Sequence, residues 1–226
     1  MITKWNFQTP TEEELHKRDK LASDLGISPF VCLLLVQRGL STVEEVKKFF
    51  KPSLNDLHDP FLMPDMEKAV KRLNKALGNK EKILIYGDYD VDGTTAVSLV
   101  YKYLRPYSSS LDYYIPDRYD EGYGISYKGI DYARENGITL VIALDCGIKA
   151  IEKIEYAKQF GIDFIICDHH MPDDILPNAV AVLDAKRVDS VYPYEHLSGC
   201  GVGFKFMQAF AKSNNFHSPT WKNCWN

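Results

Sequence analysis

The sequence predicts an α/β fold, an open parallel sheet with helices on both faces, preceded by a small helical region. Three observations predict it. Apolar runs at 83–86, 140–144 and 164–167 lack polar alternation, as strands covered on both faces require. Helical stretches of roughly 10–15 residues separate them, the spacing of βαβ units. The first eighty residues read as helices with clear start and stop punctuation.

Each element has a local reason. Thr9-Pro10-Thr11-Glu12 supplies a capping threonine, a proline at the first helical position and a glutamate three after the cap, opening a helix that stops at Gly26. Ser28-Pro29 repeats the start signal for a helix over 30–38, ended by Gly39. Ser41-Thr42-Val43-Glu44 reads as a capping box, with Val46, Phe49 and Phe50 on one face until Pro52. A proline-rich loop follows over 53–64. Asp65 then caps a helix that buries Ala69, Val70, Leu73, Ala76 and Leu77 and turns Lys68, Lys71, Arg72 and Lys75 outward; Gly78 closes it. That basic face is a candidate contact for a DNA backbone.

From residue 82 the texture changes. A strand at 83–86 leads through an acidic glycine loop to an apolar helix over 95–104. Next come a strand at 111–115, a helix over 127–136, a strand at 140–144, a helix over 149–160 and a strand at 164–167. A last apolar run at 179–183 and a last helix over 204–211 complete the pattern. The expected domains are a helical region at 1–80, an α/β domain at 81–213 and a tail at 214–226.

Composition sets the class. With 226 residues, 45% hydrophobic and 26% charged, the chain is ordinary globular protein, which excludes a disordered tail. The longest apolar run, 31–36, is too short to cross a bilayer, so no membrane partner is expected. No basic-then-apolar leader opens the sequence. Cys32, Cys146, Cys167, Cys200 and Cys224 are odd in number and never form a CxxC pair, the pattern of reduced thiols in a cytoplasmic protein. The net charge of −4 argues against nucleic-acid binding by the whole surface. It leaves room for a local basic strip or a metal that carries the positive charge.

Three acidic clusters fall at carboxyl ends of predicted strands: Asp88-Tyr89-Asp90-Val91-Asp92-Gly93, then Asp145 in Leu144-Asp145-Cys146-Gly147, then Asp168-His169-His170. Ligands of open α/β sheets bind outside those ends. One Asp after a strand is usually a cap or turn former. Three in register exceed what capping needs. The first cluster lacks the spacing and terminal Glu of a calcium-binding EF-hand. Carboxylates packed together call for a cation, and a set with a minority of imidazole suits Mn²⁺ or Mg²⁺. Two such ions would suit attack of water on a phosphate ester. Cys146 and Cys167 read as small core residues.

These segments resemble the first three motifs of the DHH phosphoesterase superfamily. With Ile115-Pro116-Asp117-Arg118-Tyr119-Asp120-Glu121-Gly122-Tyr123-Gly124 and Ser198-Gly199-Cys200-Gly201-Val202-Gly203-Phe204-Lys205, the chain is most similar to its RecJ family of bacterial exonucleases, over residues 5–213. The resemblance implies Mn²⁺- or Mg²⁺-dependent hydrolysis of single-stranded DNA from the 5′ end, in DNA repair and recombination. By the same analogy a single-strand-binding protein or a helicase is a partner. Carried over residue by residue, Asp90 and Asp92 each hold one metal of a two-metal site and Asp145 bridges them. Asp88 completes a shell. His169 is a ligand, His170 a ligand or a contact to the scissile phosphate, and Asp168 orients a histidine. Asp145, His169 and His170 form the catalytic set.

For substrate, Arg118 is a candidate phosphate clamp, or else an ion-pair partner of Asp117, Asp120 or Glu121. Ser198, Gly199 and Gly201 open the last helix as a candidate phosphate cradle, or else serve close helix packing. Two departures stand out. Tyr86 occupies the place where several branches of the superfamily carry a His. The closing His217-Ser218-Pro219-Thr220-Trp221-Lys222-Asn223-Cys224-Trp225-Asn226 matches no family motif, and no acid follows Glu195. The ending reads like a truncated or frameshifted product with weak or no activity. Two alternatives stay open: a phosphoesterase of the same superfamily acting on oligonucleotides, cyclic dinucleotides or pyrophosphate, and a non-catalytic nucleic-acid-binding module.

Overall fold

Residues 9–216 are described in a computed structural model of the chain. Five short segments form strands: β1 (Ile83–Gly87), β2 (Leu111–Tyr114), β3 (Leu140–Leu144), β4 (Asp163–Cys167) and β5 (Ala181–Leu183). All pair in parallel, in the order β2-β1-β3-β4-β5. The chain therefore reverses its direction of winding between β1 and β3, the place where such sheets bind ligands. The α/β class read from the sequence is borne out.

Alternate side chains of each strand enter different cores. Ile83, Ile85, Ile142, Leu144 and Ile165 face α4 (Met66–Gly78), α5 (Val91–Leu104) and α8 (Gly199–Ser213). Leu84, Tyr86, Val141, Ala143 and Ile166 face α6 (Tyr127–Glu135) and α7 (Ile151–Lys158). Both faces are covered, which is why the runs showed no alternation.

Register positions the site. Gly87 stands opposite Leu144, Leu144 opposite Cys167, and Cys167 opposite Leu183. The next residue on each strand is an aspartate: Asp88, Asp145, Asp168 and Asp184. Four carboxylates thus form one row along the sheet's carboxyl edge.

The chain divides between Leu57 and His58, not at residue 80. The first unit holds α1 (Glu12–Leu25), α2 (Pro29–Gln37) and α3 (Val43–Phe50) around Leu21, Cys32, Leu35, Val36 and Val46. α4 belongs with the sheet, because its Met66, Ala69, Val70 and Leu73 lie in the sheet's core. An amphipathic pattern shows that a helix has an apolar face but not what that face meets.

Other boundaries shift for identifiable reasons. Thr11, not Thr9, caps α1, since Glu14 stands at the right spacing to close the box. Thr42 and Glu45 do the same for α3, in place of Ser41 and Glu44. Phe49 and Phe50 are exposed rather than buried with Val46. Arg72 turns inward instead of outward, donating to Asp163 at 2.6 Å and to Glu81 at 2.7 Å. α5 and α8 start four and five residues before the expected 95 and 204, through glycines that read as loop. Of the expected tail, residues 217–226 lie outside the described residues. Cys32, Cys146, Cys167 and Cys200 are free thiols. Among the described residues no helix is long and apolar enough to cross a membrane.

Candidate metal centre

All four carboxylates of the row are at most 1% exposed, a costly arrangement for like charges. Each resolves the cost differently. Asp168 is saturated: its Oδ1 accepts from the backbone of His169 (2.7 Å) and His170 (3.2 Å) and from His170 Nδ1 (2.7 Å), while Oδ2 accepts from Ile148 N–H (2.9 Å). Burial alone would raise its pKa, but these bonds outweigh it and hold Asp168 ionised below the usual range. Asp88 accepts a long bond from Gly124 N–H (3.3 Å), its Oδ2 has no hydrogen-bond partner, and burial outweighs the neighbouring backbone amides and pushes its pKa up.

Asp145 is the least compensated. Its backbone sits in the left-handed region at φ 60°, turning the side chain back toward the histidines. His169 Nε2 lies 3.1 Å from Asp145 Oδ1, but off the hydrogen-bonding line, so this buried oxygen has no hydrogen bond. Burial first, and then the neighbouring Asp92 and Asp90, push Asp145 up to about 7.

The two histidines respond in opposite directions. Burial, and then the neighbouring His170, lower the pKa of His169. The bond to Asp168 outweighs burial at His170 and raises it. His170 Nε2 also lies 3.0 Å from the Tyr123 hydroxyl. Asp145, His169 and His170 bring a carboxylate oxygen and two ring nitrogens within 4.8 Å of one another, close enough to share one cation.

The remaining acids lie at helix starts. Asp90 caps α5 by accepting from Gly93 N–H at 2.9 Å. Asp92 reaches across to α8, accepting from Gly199 N–H (2.7 Å) and Cys200 N–H (2.8 Å); its Oδ2 is 3.8 Å from His169 Nε2. Ser198 accepts from Gly201 N–H at 3.1 Å. The amides expected as a phosphate cradle are therefore occupied by Asp92 and Ser198. Glycine is needed at two of these starts: a Cβ on Gly93 would collide with the Asp88 backbone, and one on Gly199 with the Asp145 side chain. Arg118 makes none of the ion pairs considered for it and instead lies over the Tyr89 ring, 5.3 Å from its centre. Tyr86 points away from the acids. Its hydroxyl donates to Gly124 O (2.9 Å) and accepts from Ser126 N–H (3.1 Å), clamping the loop that carries Tyr123.

The profile of the DHH family, N-terminal domain, matches residues 82–224. The chain belongs to the DHH family. Among DHH proteins it is similar to the single-stranded-DNA-specific exonuclease RecJ of Bacillus subtilis (strain 168), at 39% identity over 91% of this chain and 26% of that protein. The RecJ of Escherichia coli (strain K12) is 34% identical over 81% of this chain and 31% of its own length. The chain thus spans about a quarter to a third of the curated relatives it matches. A crystal structure of exonuclease RecJ bound to manganese matches with a TM-score of 0.63 and 27% identity, over 70% of this chain and 40% of the other. The fold is shared with the RecJ of Thermus thermophilus in complex with Mn²⁺, at a TM-score of 0.72 and 23% identity, over 91% of this chain and 28% of that one. The likeness to RecJ proteins expected from the motifs is borne out.

Sequence reading missed one member of this DHH edge, Asp184. It is fully buried, accepts from Lys186 N–H at 2.7 Å, and burial pushes it up to about 6. Lys186 Nζ in turn donates to His169 O at 2.6 Å, so the turn at Asp184 braces the histidine loop. The signal was available: Asp184 directly follows the apolar run 179–183, as the other three follow theirs.

If Asp168 sets the state of His170, Asp168→Asn should lower the pH at which the His170 ring titrates, followed by its NMR ring-proton shifts. The sign is fixed by the pair. A raised imidazole contributes stability below its ordinary range of about 6.5 and loses it as pH rises through the raised value. An unmoved His170 titration would remove Asp168 from that role.

Proposed function

We propose that this chain carries the reactive edge of a phosphodiesterase that removes nucleotides from the 5′ end of single-stranded DNA, with Mn²⁺ or Mg²⁺ as cofactor. One observation carries the reading: a carboxylate oxygen of Asp145 and ring nitrogens of His169 and His170 converge within 4.8 Å at the sheet's carboxyl edge, and the buried Asp145 oxygen has no hydrogen bond. Such a converging set suits a hard divalent ion. The names of the RecJ relatives supply the substrate class.

The donor set fits the cation. Asp145 offers a buried oxygen without a hydrogen bond, and His169 is a neutral imidazole beside it. Asp145 and His169 would hold the ion, with Asp92 and Asp90 the acids nearest in charge and Asp88 behind them. A second ion remains part of this proposal by family analogy. When bound, such an ion neutralises phosphate charge and acidifies a water nucleophile.

The chain's own residues divide the other tasks. Asp168 accepts from His170 Nδ1, which fixes a proton there and leaves Nε2 beside the Tyr123 hydroxyl, 3.0 Å away. When protonated, His170 would donate from Nε2 to a phosphate oxygen that takes the place of the Tyr123 hydroxyl as its partner. Asp168 positions that imidazole. Arg118, exposed and resting on Tyr89, offers a second donor to the backbone. Phosphate contacts of this kind fix the strand without reading its bases. DNA repair and recombination, and a single-strand-binding or helicase partner, extend the proposal by analogy.

A 5′-labelled oligonucleotide, single-stranded or annealed, tests it. Mononucleotide release is expected from the single strand only with Mn²⁺ or Mg²⁺. It should be slow, since His169 and His170 keep 28% and 42% of their side-chain surface open to water, which weakens local fields. Release that survives a chelator, or equal attack on the duplex, would overturn the proposal.

A further inference from the structure

Beside His170 lies a cavity of about 310 Å³, bounded by Tyr123, Ile125, Ile148, Ala150 and Lys153, with Asp168 and His170 as the wall shared with the metal centre. We propose that this cavity receives the nucleobase of the nucleotide whose phosphate lies at His170; the inference rests on the phosphodiesterase reading above.

Size limits the occupant. Small-molecule sites run from roughly 300 to 1,000 Å³, so this one has room for a single nucleoside and not for a run of strand. Chemistry narrows it further. Ile125 and Ile148 are buried and form an apolar floor, and Tyr123 offers an exposed aromatic wall. Apolar and aromatic walls accept any base, because every base has a π-face. Lys153, half-buried, has no ion-pair partner among the described residues and can donate to a base carbonyl or a flanking phosphate. Lys149 at the rim is already paired with Asp173, at 2.7 Å.

The cavity is also in register with the reacting group. The backbone of Ile148 donates to Asp168 Oδ2 at 2.9 Å, and Asp168 Oδ1 holds His170 Nδ1 at 2.7 Å. One carboxylate therefore fixes both the floor that would meet the base and the imidazole that would meet the phosphate. Gly147 keeps the floor in place: its φ is 110°, and a Cβ there would press on Ile125 at 2.9 Å.

The test compares thymidine 5′-monophosphate with deoxyribose 5-phosphate, titrated into this chain with Mn²⁺ present. The nucleotide should bind roughly 5- to 100-fold more tightly, the range of a stacked base. Its addition, and not that of the sugar phosphate, should shift the Ile125 and Ile148 methyl resonances. Ala150→Phe, which fills the cavity, should bring nucleotide affinity down to the sugar-phosphate level. Equal affinity of the two probes for the parent chain overturns the proposal, with no variant needed. Two further outcomes separate it from the reading beneath it. Metal-dependent hydrolysis at equal rates with and without a 5′-terminal base overturns the cavity alone. Base-dependent binding without any hydrolysis supports the cavity and overturns the phosphodiesterase.

Discussion

Asp145→Asn is expected to reduce Mn²⁺ binding, and any metal-dependent hydrolysis, by more than roughly 100-fold while the sheet stays folded. Changes to groups that merely support a metal ligand cost about 10- to 100-fold, and Asp145 is proposed as a ligand itself. Asparagine is the informative replacement because it tolerates the left-handed backbone at this position and keeps the shape packed against Gly199. The variant should also change how pH acts on stability. Asp145 is pushed up to about 7 by burial and by Asp92 and Asp90, so between about pH 4 and 7 the folded, metal-free chain holds a proton that the unfolded chain has released. Its contribution is therefore most favourable in acid and is lost as pH rises through 7. Mn²⁺ competes with that proton, so it should raise the melting temperature more at pH 8 than at pH 6. Asp145→Asn should lose both the pH trend and the Mn²⁺ effect. A melting shift with Mn²⁺ equal to that of the parent chain would sink the assignment.

The positions of the strands and the nature of their acids were legible because both follow from single-segment chemistry. Unbroken apolar runs need cover on two faces, and an acid behind each run lands on one edge. What was not legible depends on partners far away in sequence. Asp92 reads as a metal holder, yet its carboxylate meets amides 107 and 108 residues on, at the start of α8. Gly199 reads as part of a cradle for the same reason, since its N–H is taken by Asp92 far back in the chain; the Gly201 N–H, taken by the Ser198 hydroxyl three residues before it, was legible locally as a cap. Asp184 escaped because β5 has only three residues and no histidine or glycine follows it to draw attention. Tyr86, taken as a gap in the ligand set, gains a role only when residues 124–126 fold back onto it.

Arg72 shows the same limit and leads to the largest expected loss of stability. Its helical position is that of a solvent-facing base, but its partners Glu81 and Asp163 lie 9 and 91 residues away. The Arg72 side chain is 10% exposed, Glu81 17% and Asp163 44%. Removing one partner of a buried pair costs about 3–5 kcal/mol, mostly the penalty of the charge left behind. Asp163 can turn to water, so Arg72→Met should cost about 2–4 kcal/mol, read by urea unfolding at pH 7. Glu81 supplies the control. Burial would raise it, but Arg72 and the Thr139 hydroxyl hold it below its ordinary value. That stabilisation is present above about pH 4.5 and fades as pH falls through the lowered value. Arg72→Met should therefore lose less, relative to the parent, at pH 4 than at pH 7, and Glu81→Gln added to it should recover part of the loss. A surface base that contacts DNA predicts the opposite pattern. Its removal would flatten the salt dependence of single-strand binding and leave unfolding unchanged. Lys71 and Lys75 remain candidates for that contact. Arg72, held between two carboxylates, does not.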